Sequence, residues 1–377
     1  MTGKIATEIV VIGAGLAGLS CAQQLAQAGY QVIVLEKSRG VGGRLATRRL
    51  HNTCADHGAR SLQPETNLLR SLIDCLVGQG VLQPWQTSTY RWQDHRVSAI
   101  PTPPQFIAPQ GITAVAKFLA AGLTLHRQCR VTAIERGSET WHIQAQTADT
   151  LTTLSARAVV LAIPAAQALD LITPLFPRFI STEAIAALGY ISYYPGFSVM
   201  AGYPVACFDK FDALPAAGWQ VEFANEPDLG WVGLENSKHR AVEFPLLVVQ
   251  SSAAFAQTHL EAIDLAAVAE KLLQAAAERL LPWLNQPDWL QTHRWRYALT
   301  AQTYAGAVLP LAISPWLLGC GDWCSGSGAA AALQSGLAAA DTLNQQLQQR
   351  SLLPAEVLWE RLGERLKDNR TYKSFES

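Results

Sequence analysis

The sequence predicts an α/β protein in which a domain built on a parallel sheet is interleaved with an α+β domain built on a mixed or antiparallel sheet. Two observations predict this fold class. Short β-branched runs and helical patterns alternate near both ends of the 377-residue chain, which is typical of βαβ units. Between them lie aromatic, strand-like segments, most of them within residues 165–298. A chain of this length is also long enough for two domains.

The first βαβ unit opens the chain. Glu8–Ile12 is an apolar run that is too short for a helix and is typical of a buried strand. A G-x-G-x-x-G turn follows at Gly13–Gly18, then a helical pattern over Leu19–Ala28 and a second strand over Gln31–Leu35. This order of elements predicts a Rossmann-type dinucleotide-binding fold.

Each residue of this turn has a physical role. Gly13 permits the tight turn, Gly15 lets the backbone approach a pyrophosphate, and Gly18 lets the helix pack closely on the strand. The free N–H groups and the dipole at the start of the helix favour phosphate there. Glu36, at the tip of the second strand, can accept hydrogen bonds from ribose hydroxyls and would repel a 2′-phosphate.

The remaining elements follow in chain order. The predicted helices are Glu65–Leu76, Ala114–Ala121 with Thr113 as N-cap, Leu260–Leu280 and Ala329–Gln348. The predicted strands include a hairpin of Arg130–Glu135 with Thr140–Gln146, a buried run at Ala156–Ile163 and a strand within Trp316–Trp323 that ends in Gly-Asp. We therefore expect a discontinuous nucleotide-binding domain (1–63, 105–164 and 299–348), a substrate domain (64–104 and 165–298) and a C-terminal helix and tail (349–377).

The segment after Glu36 narrows the expected nucleotide. Lys37–Arg44 contains an R-G-x-G-G-R run, which resembles the second signature of the FAD-dependent amine oxidase superfamily. Gly42 and Gly43 allow the backbone to approach a ligand closely, and Arg44 can form paired hydrogen bonds with phosphate.

Four segments together resemble the renalase-like, NAD(P)/FAD-dependent branch of that superfamily. They are Glu36–Arg44, Asp56–Arg60, His293–Ala298 and Cys320–Cys324. Their order and spacing are similar over roughly residues 7–345. One departure stands out, because the family typically has Gln where this chain has Arg60.

The resemblance implies FAD as cofactor, held by residues from several segments. Glu36 would hold the adenosine ribose with Lys37 beside it, and Arg44 would reach the phosphates or a ribose. Val131 would touch the adenine, and Asp322 would hold the ribityl chain or the pyrophosphate. The expected cofactor-binding residues are Gly13, Ala14, Gly15, Ala17, Gly18, Glu36, Lys37, Gly43, Arg44, Val131, Gly321, Asp322, Gly328, Ala329 and Ala330.

Two further features of the cofactor are expected. The helix that opens near Ser327–Ala330 would direct its N-terminus at the pyrimidine edge of the flavin, where its dipole stabilises the negative charge of the reduced ring. Monoamine oxidases tether FAD through a cysteine before the Gly-Asp motif, and this chain has no cysteine between Tyr297 and Gly319. We therefore predict FAD that is bound non-covalently.

Four residues are candidates for the chemistry: His57, Arg60, Trp295 and Tyr297. His57 could bind substrate or water, or could be satisfied within the fold. Arg60 could bind an anionic or carboxamide-bearing substrate, or FAD itself. His293, Trp295, Arg296 and Tyr297 could line the re face of the flavin, or Trp295 and Tyr297 could be core residues.

Alternate residues of a strand share a face, so Trp295 and Tyr297 should point together and Arg294 and Arg296 should point the opposite way.

The resemblance implies an oxidase that passes hydride from a small reduced substrate to flavin, with dioxygen as acceptor and hydrogen peroxide as product. The substrate implied is a dihydronicotinamide, such as an isomer of reduced NAD(P). The alternatives are a flavin amine oxidase and a carotenoid-type desaturase on the same scaffold. A protein that binds FAD without turnover is a third hypothesis.

Composition argues against other classes of function. The chain has 29 Lys and Arg against 30 Asp and Glu, so nucleic-acid binding has little electrostatic support. Seven scattered cysteines and the lack of a leader or long apolar run predict reduced thiols, a cytoplasmic location and no membrane span. The pattern of His and Cys has no zinc-type spacing, so we expect no metal site. Either a monomer or a homodimer is compatible with the sequence.

Overall fold

A computed structural model describes residues 4–148, 150–210, 214, 218–238, 240 and 242–368. Its α-helices are α1 (Leu16–Gln27), α2 (Asn67–Gly78), α3 (Thr113–Ala120), α4 (Ala165–Ile172), α5 (Thr182–Tyr190), α6 (Ala253–His259), α7 (Leu265–Arg279), α8 (Gly328–Gln346) and α9 (Ala355–Asp368). Short 3-10 helices lie at Thr173–Leu175, Val205–Lys210, Glu235–Lys238 and Pro282–Asn285.

The strands of the first half are β1 (Lys4–Ile12), β2 (Val32–Leu35), β3 (Thr47–Leu50), β4 (Thr53–Asp56), β5 (Gln83–Pro84), β6 (Ser88–Gln93), β7 (Arg96–Ile100), β8 (Phe106–Ile107), β9 (Thr124–His126), β10 (Arg130–Arg136), β11 (Trp141–Gln146) and β12 (Leu151–Leu161). Those of the second half are β13 (Ser192–Gly202), β14 (Trp219–Phe223), β15 (Leu229–Leu234), β16 (Leu246–Ser251), β17 (Trp289–Gln302), β18 (Leu309–Ile313) and β19 (Trp316–Gly319).

An eight-stranded sheet carries the predicted Rossmann unit. Strand β1 lies between β2 and β12 and is parallel to both, with Val10 opposite Ile33 on one side and Val159 on the other. Strand β9 extends the sheet beyond β2, β19 pairs in parallel with the end of β12, and the β10–β11 hairpin and β18 add antiparallel strands. Residues 9–12 of β1 and 32–35 of β2 are buried, as expected for parallel strands covered by helices.

The second sheet has seven strands, in the order β17-β13-β16-β15-β14-β6-β7. Its pairs are antiparallel except β14 with β6, which is parallel. One face packs on α6 and α7 through a core that includes Phe255, Leu272 and Leu273. The sheet is therefore mixed, and with the Rossmann sheet it confirms the predicted fold class.

The opposite face of the second sheet meets the first half of the chain. Met200, Trp231 and Val248 pack there with Leu50 and Ala55 of the β3–β4 hairpin. This contact brings the residues just after β4 onto the second sheet, and it is what positions the candidate active site.

Several bounds differ from the prediction: α1 begins at Leu16 rather than Leu19, α2 and α8 are shifted by one or two residues, and β19 ends at Gly319, before the Gly-Asp pair. Two further differences, in α3 and α7, have a visible cause. Thr113 is the first residue of α3 rather than its N-cap, because its hydroxyl is engaged elsewhere, donating to the Leu45 carbonyl oxygen at 3.0 Å. The helix expected over Leu260–Leu280 begins only at Leu265, where Asp264 caps it by accepting from the N–H groups of Ala266 and Ala267.

The predicted domain boundaries stay a prediction, although several contacts bear on them. Helix α2 contributes Leu69, Leu72 and Ile73 to the core beside the Rossmann sheet, and β17 continues to Gln302. Helix α9 lies in the predicted C-terminal segment, whose residues 369–377 fall outside the described part of the chain. Of the helices described, none combines the length and the apolar character needed to cross a bilayer.

Candidate active site

The G-x-G-x-x-G turn has the geometry its three glycines predict. Gly13 has φ +107°, and a Cβ there would collide with the Ala162 carbonyl oxygen. A Cβ on Gly18 would collide with the Gly13 carbonyl oxygen, so the helix packs directly on the turn. Gly15 differs, because among the described residues no atom lies within 4 Å of where its Cβ would be. The backbone of Gly15 therefore borders open space, as an approach to pyrophosphate requires.

The G-G-R loop packs against this turn. The Gly42 N–H donates to the Ala14 carbonyl oxygen at 2.8 Å, and a Cβ on Gly43 would lie 3.5 Å from the Gly15 Cα. Both glycines have positive φ, +113° and +57°, a region that glycine enters most readily. The two glycine-rich segments thus form one continuous backbone surface.

Glu36 is buried at the tip of β2 beside this surface. Its carboxylate accepts from the Ala14 N–H at 2.9 Å and from the Ser38 N–H at 2.7 Å, which fixes its orientation while leaving further lone pairs for a ribose. Lys37 is exposed and donates to Gln167 at 3.0 Å. Val131 lies near this strand tip, since the N–H of Cys129, two residues earlier, donates to the Glu36 carbonyl oxygen.

Arg44 and Asp322, both expected to bind FAD, are paired with each other. Arg44 Nη2 lies 2.5 Å from Asp322 Oδ1, and Thr300 Oγ1 donates to Asp322 Oδ2 at 2.9 Å. The Gly321 N–H before Asp322 donates to Ser335 Oγ at 3.0 Å. The ion pair joins the G-G-R loop to the segment after β19.

Helices α1 and α8 present their N-termini in the same direction. They run parallel, since Ala17 faces Gly336 at one end and Tyr30 donates to Asn344 at 2.8 Å at the other. Helix α8 begins eight residues before Gly336, so its N-terminus extends about 12 Å beyond that contact. In the described structure neither helix has a side chain that caps its first turn.

These features fit FAD. An open backbone surface at Gly15 and an uncapped helix start suit a pyrophosphate, and the fixed carboxylate of Glu36 suits a ribose. A second uncapped helix start lies at Gly328, Ala329 and Ala330. FAD, when bound, would supply the redox chemistry.

His57 follows β4 and lies on the second sheet. Its carbonyl oxygen accepts from Trp295 Nε1 at 2.9 Å and from Ser198 Oγ at 2.7 Å. Its ring stacks on Trp295 with centroids 5.5 Å apart and meets His293 edge-on at 4.8 Å. Burial, together with the charges of His293 and Arg48, lowers the pKa of His57 to about 3, against the opposing charge of Asp56. The imidazole is therefore neutral at ordinary pH.

Gly58, the next residue, is a point of close backbone approach. A Cβ there would collide with the Arg44 carbonyl oxygen. The segment that follows β4 is thereby held against the G-G-R loop. His57 and Arg60 consequently lie between the G-G-R loop and the second sheet.

Arg60 lies across the second sheet. Its guanidinium carbon is 4.7 Å from the centre of the Trp231 ring, and its Nε donates to Gln250 Oε1 at 2.7 Å. Gln250 in turn donates to the Gly58 carbonyl oxygen at 3.0 Å. Burial lowers the pKa of Arg60 to about 10, against the opposing charge of Glu222, so the guanidinium stays charged.

Tyr297 points to the same side of β17 as Trp295 but lies farther along it. Its ring meets Tyr193 edge-on at 5.2 Å. Arg294 and Arg296 point to the other side, as alternation predicts, where Arg294 donates to the Leu260 and Ala262 carbonyl oxygens and Arg296 forms a bidentate pair with Glu261. The structure thus brings His57, Trp295 and Arg60 to one face and leaves Tyr297 at its edge.

Comparison with protein families gives two matches. Residues 11–76 match the NAD(P)-binding Rossmann-like domain, and residues 80–344 match the flavin containing amine oxidoreductase family. The chain belongs to the flavin containing amine oxidoreductases. FAD is accordingly its cofactor, in agreement with the expectation and with the fit above.

The chain is also similar to known proteins in one short segment and in its fold. A segment of 66 residues is 46% identical to an L-amino acid oxidase of Crotalus durissus cumanensis, but it covers only 18% of this chain and 13% of that oxidase. In fold, putrescine oxidase bound to putrescine is similar with a TM-score of 0.68, 14% identity and coverage of 90% of this chain and all of that one. Cyclohexylamine oxidase from Brevibacterium oxydans is similar with a TM-score of 0.67 and 12% identity, and the match covers 91% of this chain and 99% of that one.

The cysteines beside the Gly-Asp motif bear on the expectation that FAD is not tethered. All seven cysteines are free, and those beside the Gly-Asp motif, Cys320 and Cys324, are buried. Burial raises the pKa of Cys324 to about 12 and that of Cys320 well above its usual value. Neither forms a reactive thiolate. Within the described residues, no group of three or more His, Cys, Asp or Glu side chains could hold a metal ion.

One feature of the site was not foreseen from the sequence. Asp56, just before His57, forms a buried ionic cluster with Glu235, Lys238 and Arg240, which lie after β15. Lys238 Nζ is 2.6 Å from Glu235 and 3.3 Å from Asp56, and Arg240 pairs with both carboxylates. The cluster joins β4 to the second sheet and so holds His57 in place.

Proposed function

We propose that this protein is a FAD-dependent oxidase of the renalase-like branch, and that it takes hydride from a small reduced substrate, with a dihydronicotinamide as the first candidate. FAD, when bound, accepts the hydride and passes two electrons to dioxygen, which with two protons gives hydrogen peroxide. The residues of the chain bind and orient the substrate.

The observation that carries this proposal is the fixed guanidinium of Arg60. Trp231 covers its plane and Gln250 occupies its Nε, while its two terminal nitrogens form no hydrogen bond within the described residues. A charged guanidinium here repels an ammonium ion and can donate to a carboxamide or to an anion. A dihydronicotinamide carries a carboxamide on the ring that must meet the flavin.

The rings of His57 and Trp295, on the same face as Arg60, also favour a dihydronicotinamide as substrate. His57 and Trp295 are nearly parallel, with 25° between their planes, and burial keeps His57 neutral. Flat, uncharged rings suit stacking of a flat substrate ring. The Trp295 indole is itself fixed by its hydrogen bond to the His57 main chain.

An amine is the second candidate substrate. The family match favours it, as do the folds of putrescine oxidase and cyclohexylamine oxidase, which act on amines by their names. An amine would have to enter this site as the neutral base, because Arg60 disfavours its ammonium form.

The test compares Arg60→Gln, which introduces the residue typical of the family, with wild type and with Arg157→Gln, an exposed arginine of β12. Oxygen uptake is measured with reduced NAD(P), its dihydronicotinamide isomers and a panel of amines. We expect Arg60→Gln to raise KM for the preferred dihydronicotinamide about tenfold, and Arg157→Gln to leave it unchanged. Turnover of amines alone, or equal effects of both substitutions, would contradict the proposal.

A further inference from the structure

Arg48 and His57 share one face of the β3–β4 hairpin. Arg48 pairs with Ala55, and the His57 N–H donates to the Ala46 carbonyl oxygen at 3.0 Å, so the ladder continues past β4. In this register Arg48 and His57 are diagonal neighbours, close enough for long side chains to interact. Ala55, on the same face, is fully buried in the core formed with the second sheet.

The second sheet contributes a third nitrogen-bearing side chain. The His293 ring lies 4.8 Å from that of His57, edge-on. The charge of Arg48 acts on both imidazoles, since with burial it lowers the pKa of His57 and of His293, whereas the charge of Asp56 opposes this at His57. A guanidinium and two imidazoles therefore converge from the hairpin and from β17.

This group lacks an acceptor in the described structure. His57 is 6% exposed, and its Nδ1 is buried without a hydrogen-bond partner among the described residues, as is Arg48 Nε. No described carboxylate forms an ion pair with Arg48, and the nearby Asp56 is already paired with Lys238 and Arg240. A buried donor without a partner, such as the Arg48 Nε–H, is unfavourable. A ligand that accepts hydrogen bonds and carries negative charge would satisfy it, and would also accept from His57 in the tautomer with Nδ1 protonated.

We propose that Arg48, His57 and His293 form a subsite for an oxyanion carried by the substrate, a carboxylate or a phosphate. This rests on the proposed function, in which His57 and Trp295 belong to the substrate site. The substrate is then an anionic reduced compound. A dihydronicotinamide would bring a nucleotide phosphate, and an amine substrate would bring the carboxylate of an amino acid.

The first test measures anion binding without catalysis. Inorganic phosphate and acetate are titrated calorimetrically into the FAD-loaded protein, its Arg48→Gln variant and its Arg49→Gln variant. Arg49 is the matched control, because it is the next residue of β3, is exposed and loses the same charge. We expect Arg48→Gln to lower the affinity for the preferred anion about tenfold or more and Arg49→Gln to leave that affinity unchanged. Equal binding by all three proteins, or no binding by wild type, would overturn the proposal.

The second test identifies the source of the oxyanion. Phosphate-bearing dihydronicotinamide nucleotides are compared with dihydronicotinamide riboside, and amino acids with the amines that lack their carboxylate. In whichever of these two pairs the protein turns over, wild type should prefer the anionic compound. Arg48→Gln should raise KM for that compound and so remove the preference, while kcat is retained. Arg48→Lys should restore part of the preference.

The failures of the two proposals can be distinguished. If Arg48→Gln loses phosphate binding, but neither a dihydronicotinamide nor an amine reduces the flavin of the wild-type protein, the proposed function is wrong and the subsite is supported. Reduction of the flavin with no difference between Arg48→Gln and Arg49→Gln would sink the subsite alone.

Discussion

At the scale of single residues, the glycines of the first turn were the most predictable part of the molecule. Their roles follow from backbone geometry, which sequence spacing encodes directly. Gly13 and Gly18 are enclosed by neighbouring backbone, whereas Gly15 borders open space. The three positions therefore respond differently to a methyl group.

Gly15→Ala separates cofactor binding from folding. The added methyl group meets no described atom within 4 Å, and Gly15 has φ −79°, so the apoprotein should keep its stability. The same methyl group enters the approach to the pyrophosphate, and we expect FAD affinity to fall about tenfold or more. Flavin fluorescence titration measures the affinity. Gly78→Ala, which also adds a methyl group in open space, is the control, and equal affinities for the two variants would contradict the assignment.

His57 makes the stability of the protein depend on pH. Its folded pKa of about 3 lies below the usual 6.5, so between these values the unfolded chain binds a proton that the native protein does not. Stability is then lost as the pH falls through 6.5. The difference between wild type and His57→Gln in free energy of unfolding should decrease by about 2 kcal/mol from pH 7.5 to pH 5. Urea unfolding at saturating FAD measures it, and parallel pH profiles would contradict the buried, neutral imidazole.

The surroundings of His57 could not be read from the sequence. His57 was recognised as a candidate, but its neighbours Arg48 and His293 depend on how the β3–β4 hairpin packs on β17. His57 and His293 are 236 positions apart in the chain, and no local pattern relates them.

At the scale of elements, most strands and helices near the cofactor were predictable, because hydrophobic periodicity and glycines mark them. The helix expected over Leu260–Leu280 was placed too early, since its apolar pattern continues into the preceding loop. Asp264, an N-cap residue before an apolar run, was the available signal for the true start.

The N-terminus of α8 should set the redox potential of the flavin. Ala329 lies in its first turn, and a negative charge there would oppose the negative charge of reduced flavin. We expect Ala329→Asp to lower the midpoint potential by about 20–40 mV. Gln346→Glu adds the same charge at the far end of α8 and should leave the potential unchanged. Spectroelectrochemical titration measures both, and equal potentials would place the flavin away from α8.

At the scale of the whole molecule, the two sheets were predictable from the patterns of strands and helices along the chain, and the cofactor was predictable from four motif segments. The contact between the two sheets was not predictable, because Asp56 pairs with Glu235, Lys238 and Arg240, which lie about 180 positions away in sequence. Such a buried ionic cluster is strongly destabilised when one partner is removed. It therefore fixes the hairpin on the second sheet, and with it the whole candidate site.

The measurement that tests the central claim most directly is an anaerobic visible spectrum of the purified protein during titration with dihydronicotinamide isomers and then amines. A flavin spectrum that is bleached by a dihydronicotinamide and restored by air is the predicted result. Bleaching by amines alone would assign the site to the second candidate. A flavin that stays oxidised with every compound, or a protein without a flavin spectrum, would contradict the account.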